Sequence, residues 1–199
     1  EEPLDAVNFY WLCHVLLGDA TDHLFLDALS YLDDSTAQEA KLIYEKFNSI
    51  DMNEIDVIAI MYDGSDYLAG LEMYDDNTYT NINTFTGNLH AGIELIRENY
   101  PHIRFIVMSP SYAYGLDENG EFISSDIQTY GQHFLSTYVI KQAEACSVLG
   151  VTYIDHLYGT ITEANADLYL SDHIHLNPEG RQLIADRFLK ALYHYQNRD

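Results

Sequence analysis

Apolar residues in this chain form short, nearly continuous runs that alternate with longer segments of helical periodicity. Three such runs lie at residues 55–62, 103–108 and 151–154. Between and after them, apolar side chains recur every three or four positions at residues 84–98, 127–148 and 178–195. The runs are typical of strands buried on both faces of a parallel sheet, and the periodic segments are typical of amphipathic helices. The alternation therefore predicts βαβ units and an α/β fold.

Polar residues cluster where these predicted strands end. Residues 63–67 follow the first strand and residues 109–112 follow the second. A third cluster, residues 170–180, precedes the last helix. Because ligands bind beyond the carboxyl ends of parallel strands, we expect the three clusters to meet at one rim of the sheet.

The third cluster places a carboxylate three residues before an imidazole, as Asp172 and His175. Asn177 suits a helix N-cap and Pro178 suits the first helical position. On a loop fixed to a helix, the carboxylate can orient the imidazole and leave its other nitrogen free as a general base. The alternative is a polar loop with a good cap and no chemistry.

Charge narrows the range of partners. The 199 residues include 32 acidic and nine basic ones, a net charge of −23. Such a surface repels phosphate backbones and anionic lipids, so we expect no nucleic acid and no membrane partner. No apolar run reaches the ~18 residues that a membrane span needs. A single domain over residues 1–199 suits this length, and Cys13 and Cys146 are expected to be buried free thiols.

The order of these segments resembles the SGNH/GDSL hydrolase family over residues 50–199. Asp172 and His175, followed by Asn177-Pro178-Glu179-Gly180, look like that family's last block, with Leu176 where Pro is usual. The strand at 55–62 with Asp63-Gly64-Ser65-Asp66-Tyr67 looks like its third block, in which Ser65 replaces an Asn and Asp63 a Gly.

The resemblance implies a three-layer α/β/α sandwich with a flavodoxin-like parallel sheet. It also implies ester hydrolysis by a serine nucleophile without a cofactor. By this resemblance His175 is the base, Asp172 orients it, and Gly64, Ser65 and Asp66 form the oxyanion and substrate region. A Ser at the Asn position and a carboxylate at residue 63 both weaken stabilisation of an oxyanion.

The family's nucleophile follows Gly-Asp, and the corresponding candidate here reads Gly18-Asp19-Ala20. It is either an inactivated nucleophile or a turn at the end of an apolar segment, residues 6–17, that suits a helix or a strand. We favour the turn. The domain is then incomplete at its N-terminus, its first strands are missing, and an upstream segment or a second chain completes the sheet. Ser111 is an alternative nucleophile that the family does not use.

These observations predict an SGNH-type deacylase acting on a carbohydrate or other small ester. The alternative is a catalytically impaired binding protein of the same fold. A third interpretation is a metal-dependent hydrolase that uses Asp66, Asp172, His173 and His175. Tyr112 and Tyr114 either line a sugar or acyl pocket or serve packing.

Seventeen tyrosines in an acidic, lysine-poor chain favour a secreted or cell-surface bacterial protein, with a cytoplasmic one still open.

Overall fold

The computed structural model describes residues 8–19, 27, 29–31 and 33–196. Its first helices are α1 (Phe9–Leu17) and α2 (Asp34–Asn48), followed by a 3-10 turn at Met52–Glu54. The next elements are β1 (Val57–Met61), α3 (Ser65–Leu68), α4 (Phe85–Asn99), β2 (Arg104–Met108), β3 (Tyr114–Leu116) and β4 (Phe122–Ser124). The last are α5 (Leu135–Leu149), β5 (Thr152–Ile154), α6 (Ala166–Tyr169) and α7 (Pro178–Gln196).

The three predicted strands form one sheet in the order β1-β2-β5. Strands β2 and β5 are parallel, with Ile106 opposite Thr152 and Met108 opposite Ile154. Beyond β1, the Tyr62 N–H donates to the Met108 carbonyl at 3.3 Å. Helices flank this sheet, so the predicted α/β class is confirmed. Strands β3 and β4 form a separate antiparallel hairpin.

Two predicted elements differ from what is observed. Strand β1 was expected to be buried on both faces, but its alternate residues Val57, Ala59 and Met61 are exposed. The strand lies at the edge of the sheet and one of its faces is open, so the prediction of burial is wrong. The helix predicted from residue 127 begins at Leu135 instead. Gly131 and Gln132 just before it have φ of 53° and 69°, which a right-handed helix does not accommodate.

The chain divides into two compact units, residues 1–58 with 73–104 and residues 59–72 with 105–199. In the first, α1 ends at Gly18, whose φ is 63° and whose N–H donates to the Val15 carbonyl. Gly18 and Asp19 therefore form the predicted turn at the end of a helix. Asp19 also lies 2.5 Å from His14 Nδ1. Ala20 lies outside the described residues.

The second unit has its core on strands β2 and β5. Ile106, Met108 and Ile154 form a buried cluster against which one face of α7 packs, through Phe188, Ala191 and Leu192. The helical periodicity of residues 178–195 predicted this face. Burial of these side chains stabilises the helix, which begins beside the candidate site.

Cys13 and Cys146 are buried free thiols, as predicted. Burial raises the pKa of Cys146 to about 12, so it is protonated at neutral pH and a poor nucleophile. Among the helices that the structure describes, none has the length and apolar character needed to cross a membrane.

Candidate functional site

The loop between α6 and α7, residues 170–177, is closed by its own backbone. Leu170 and Leu176 form an antiparallel bridge across its base. The N–H and the hydroxyl of Ser171 both donate to the His175 carbonyl, at 2.8 and 3.1 Å. The loop is therefore a small ordered unit, which we call the His175 loop.

Asp172 is held by three hydrogen bonds from within this loop. Its Oδ1 accepts from the backbone N–H groups of Ile174 at 2.9 Å and His175 at 2.7 Å. Its Oδ2 lies 2.6 Å from His175 Nδ1. Partial burial opposes ionisation, but the bonds from the two N–H groups and the imidazole outweigh it and lower the Asp172 pKa to about 2. The carboxylate is ionised at any physiological pH.

The His175 imidazole is oriented but open to solvent. Its side chain is 61% exposed, and Nδ1 is engaged by Asp172. In the neutral imidazole, a carboxylate acceptor at this distance places the proton on Nδ1 and leaves the lone pair on Nε2. Nε2 makes no hydrogen bond to any residue that the structure describes. The pair thus has the geometry of an imidazole base with its orienting carboxylate.

The start of α7 holds the loop in place. The Asn177 Oδ1 accepts from the Gly180 N–H at 2.9 Å, as an N-cap does, and Pro178 is the first helical residue. Asn177 also ties the helix to α6, because its own N–H donates to the Tyr169 carbonyl. The predicted cap is confirmed, and it anchors the loop that carries His175.

The first and third polar clusters meet in the second unit, together with Ala113 and Tyr114 just beyond the second cluster. A Cβ added at Gly64 would lie 3.4 Å from Ala113 Cβ and 3.5 Å from Ile174 Cγ2. The Tyr114 N–H donates to the His173 carbonyl at 2.7 Å. The segments after β1 and β2 therefore both contact the His175 loop, as the rim argument predicted.

Residues 63–67, which follow β1, hold their carboxyl groups differently from the His175 loop. Asp63 Oδ1 accepts from the Ser65 N–H at 2.9 Å, so this carboxylate turns back onto its own segment. Ser65 is exposed, and Asp66 is half-buried. Burial, followed by repulsion from Asp63, raises the Asp66 pKa to about 6. A backbone donor that could face an oxyanion is thus already bonded to a carboxylate.

The segment after β2 serves packing more than chemistry. Ser111 is buried, and its hydroxyl makes a long hydrogen bond of 3.5 Å to the Tyr112 carbonyl. Tyr112 is also buried, and its hydroxyl lies 2.8 Å from Ser124 Oγ. Of the two roles considered for Tyr112, lining a pocket or packing, its burial agrees with packing. Ser111 does not hydrogen-bond His175.

The residues suggested as metal ligands do not assemble in the part of the chain that is described. No group of three or more His, Cys, Asp or Glu side chains there has the geometry to hold an ion. His173 Nδ1 lies 4.0 Å from Asp172 Oδ1, while Asp172 is already engaged by His175.

Sequence reasoning missed Phe122, an exposed aromatic residue of β4 whose ring lies 5.9 Å, centroid to centroid, from that of His173. Its only sequence signal was its place soon after Asp117-Glu118-Asn119-Gly120, residues that favour a turn. No local pattern could show that the hairpin packs against a loop 50 residues downstream.

Solved structures with a similar fold include a protein from Lactobacillus plantarum. It is 22% identical, with a TM-score of 0.61 over 75% of this chain and 71% of its own. Another is 21% identical, with a TM-score of 0.61 over 75% and 69%. A possible lipase from Chitinophaga pinensis is 14% identical, with a TM-score of 0.57 over 71% and 73%. No family model matches the chain, and no curated protein does. These likenesses show a shared α/β fold.

Proposed function

We propose that the protein is an ester hydrolase of the SGNH type that uses His175 as its base. The observation that carries the proposal is the Asp172–His175 pair, with Oδ2 2.6 Å from Nδ1 and with the imidazole side chain 61% exposed. This arrangement suits the removal of a proton from a hydroxyl nucleophile. The fold shared with a possible lipase supports a hydrolase in general terms.

In the proposed reaction, Nε2 of His175 takes the proton of a serine hydroxyl as its oxygen attacks the ester carbonyl. The imidazolium then gives this proton to the leaving alcohol when the tetrahedral intermediate collapses. A water molecule repeats the two steps on the acyl-enzyme and releases the acid. Asp172, with its pKa near 2, stays ionised throughout and stabilises the imidazolium.

The serine is the part of the machinery that the described residues do not supply, since none of their hydroxyls hydrogen-bonds the His175 imidazole. We propose that a segment outside them, or a second chain, brings it to Nε2. The oxyanion region is assigned to Gly64, Ser65 and Asp66. Because the Ser65 N–H is engaged by Asp63, one donor is weakened, and loss of one such donor typically lowers kcat by about 10²–10³.

The proposed substrates are carbohydrate esters or other small esters, and the reaction needs no cofactor. The net charge of −23 disfavours polyanionic substrates. Together with the tyrosine-rich composition it suits a secreted or cell-surface protein, and we propose that location.

Hydrolysis of p-nitrophenyl acetate by the intact protein tests the proposal. His175→Ala is expected to lower kcat by about 10³ or more. The matched control is His102→Ala, an exposed histidine just ahead of β2, which should keep the parental rate. Labelling with a fluorophosphonate, followed by peptide mass spectrometry, identifies the nucleophile. Parental activity in His175→Ala would exclude this mechanism.

A binding protein with the same fold is the second candidate. The observation that favours it is the hydrogen bond from the Ser65 N–H to Asp63, which occupies a donor at the position that the resemblance assigns to the oxyanion. It predicts no ester hydrolysis and no fluorophosphonate labelling. Activity that disappears in His175→Ala would eliminate this candidate.

A further inference from the structure

Two stacked aromatic rings, half-buried Tyr114 and exposed Phe122, lie on the β3–β4 hairpin. Tyr114 and Phe122 stack with their ring centroids 5.5 Å apart and an angle of 20° between the ring planes. The register pairs Tyr114 with Ser124 and Leu116 with Phe122, so the two rings are diagonal neighbours on one face of the hairpin. Phe122 remains 55% exposed, although a large apolar ring gains free energy by burial. We call this pair the aromatic platform.

The hairpin fixes the platform against the His175 loop. The Tyr114 N–H donates to the His173 carbonyl at 2.7 Å, two residues from the proposed base. The Phe122 ring contacts that of His173, with centroids 5.9 Å apart. On the other side, the Tyr114 ring packs edge to face on buried Tyr112. The platform therefore has a set position beside the His175 loop.

Acidic groups lie next to the platform. Burial, followed by the charges of Asp167 and Glu163, raises the pKa of Tyr114. Asp167 and Glu163 are both exposed, so their carboxylates can accept hydrogen bonds from a ligand. The surface thus combines an apolar ring face with nearby hydrogen-bond acceptors.

This combination matches a pyranose ring. The C–H groups of one sugar face carry a small positive charge and pack on the negative face of an aromatic ring. The hydroxyl groups at the sugar's edge donate to carboxylates. An acyl chain would instead need a concave apolar pocket, and an anionic lipid surface would be repelled by these carboxylates.

We propose that the aromatic platform is a sugar-binding subsite that seats the carbohydrate part of an ester and presents its acyl group to His175. The proposal rests on the ester hydrolysis proposed above. It adds residues that bind the substrate and narrows the substrate class to esters of pyranose sugars.

The test compares acetylated xylotetraose with p-nitrophenyl acetate as substrates of the intact protein. Phe122→Ala is expected to lower the ratio of kcat/KM for the sugar ester to that for the simple ester by about 3- to 10-fold, mainly through KM. Phe122→Trp retains a ring and should keep most of this selectivity. The control is Val148→Ala, an exposed apolar residue at the end of α5, ahead of the amino end of β5.

Binding is measured separately, so that the subsite and the hydrolase can fail independently. In the His175→Ala protein, unesterified xylotetraose should shift the NMR signals of the Tyr114 and Phe122 rings, and Phe122→Ala should weaken its affinity by about 3- to 10-fold. Such binding without any ester hydrolysis would support the subsite and overturn the hydrolase.

Ester hydrolysis combined with an unchanged selectivity ratio and no xylotetraose binding would overturn the subsite alone. If Phe122→Ala lowered activity only on p-nitrophenyl octanoate, the subsite would also be overturned, because the platform would then hold an acyl chain. Thermal melting of each variant confirms that it is folded.

Discussion

Two segments at the same rim, the His175 loop and residues 63–67, treat a carboxylate in opposite ways. Asp172 receives three hydrogen bonds within its loop, and its pKa falls to about 2. Asp66 is half-buried near Asp63, its carboxylate receives no hydrogen bond from the described residues, and its pKa rises to about 6. Donors aimed at the charge favour ionisation, whereas burial without donors opposes it.

The His175 loop is preorganised for chemistry, whereas residues 63–67 contain a carboxyl group whose ionisation is unfavourable. The His175 loop holds its charge with backbone groups that cannot rotate away, as a catalytic pair needs. In residues 63–67, by contrast, burial and the nearby Asp63 both disfavour the ionised form of the Asp66 carboxyl. Such unfavourable burial is common at functional sites, where it costs stability.

The largest effect is expected from Asp172→Asn, which removes the charge that orients and stabilises the His175 imidazole. In comparable triads this change lowers kcat by about 10⁴, and we expect a loss of 10³–10⁴ in p-nitrophenyl acetate hydrolysis. The control is Asp186→Asn, whose side chain accepts from Gln182 on the exposed face of α7. A parental rate in Asp172→Asn would show that the pair is structural.

Asp66→Asn should stabilise the protein at neutral pH. Because the folded pKa of Asp66 is raised to about 6, its favourable contribution exists below the unfolded value near 4 and is lost as pH rises through about 6. The variant should therefore gain up to about 3 kcal/mol at pH 7 and almost nothing at pH 4. Urea unfolding at both pH values, with exposed Asp76→Asn as control, measures this gain. A gain independent of pH would contradict the electrostatic cause.

Glycine replacements test how tightly two segments are packed: the start of α7, which anchors the His175 loop, and residues 63–67. A Cβ at Gly180 would collide with the Tyr169 carbonyl, which is backbone and cannot rotate away. Gly180→Ala is expected to cost about 1–3 kcal/mol. At Gly64 an added Cβ makes only ordinary contacts, the nearest at 3.4 Å, so Gly64→Ala should change stability by less than about 0.5 kcal/mol. Equal effects in denaturant unfolding would show that the two segments do not differ in packing.

Asp63→Asn is expected to have the smallest effect. The amide oxygen can still accept from the Ser65 N–H, so the turn is kept while the charge beside Asp66 is removed. The Asp66 pKa should fall, with a change in stability below about 1 kcal/mol. NMR titration of the Asp66 carboxyl measures the shift, and an unchanged pKa would leave burial as its sole cause.

The elements that sequence predicted best depend on nearby residues. The Asp172–His175 bond, the Asn177 cap and the turn at Gly18 each join residues a few positions apart, so their spacing specifies them. The parallel pairing of β2 with β5 was also predicted, because strands that alternate with helices form βαβ units. The start of α5 was misplaced because positive φ at Gly131 and Gln132 has no clear signature in apolar periodicity.

Contacts between residues far apart in the sequence decided the features that local patterns did not predict. The chain by itself determined the α/β class and an imidazole oriented by a carboxylate, since both follow from periodicity and local spacing. Only the tertiary structure placed Gly64 beside Ile174 and the aromatic platform beside His173. It also left one face of β1 open and placed Asp66 in a half-buried site. Burial and long-range contact depend on how the whole chain packs, and no short stretch of sequence encodes that packing.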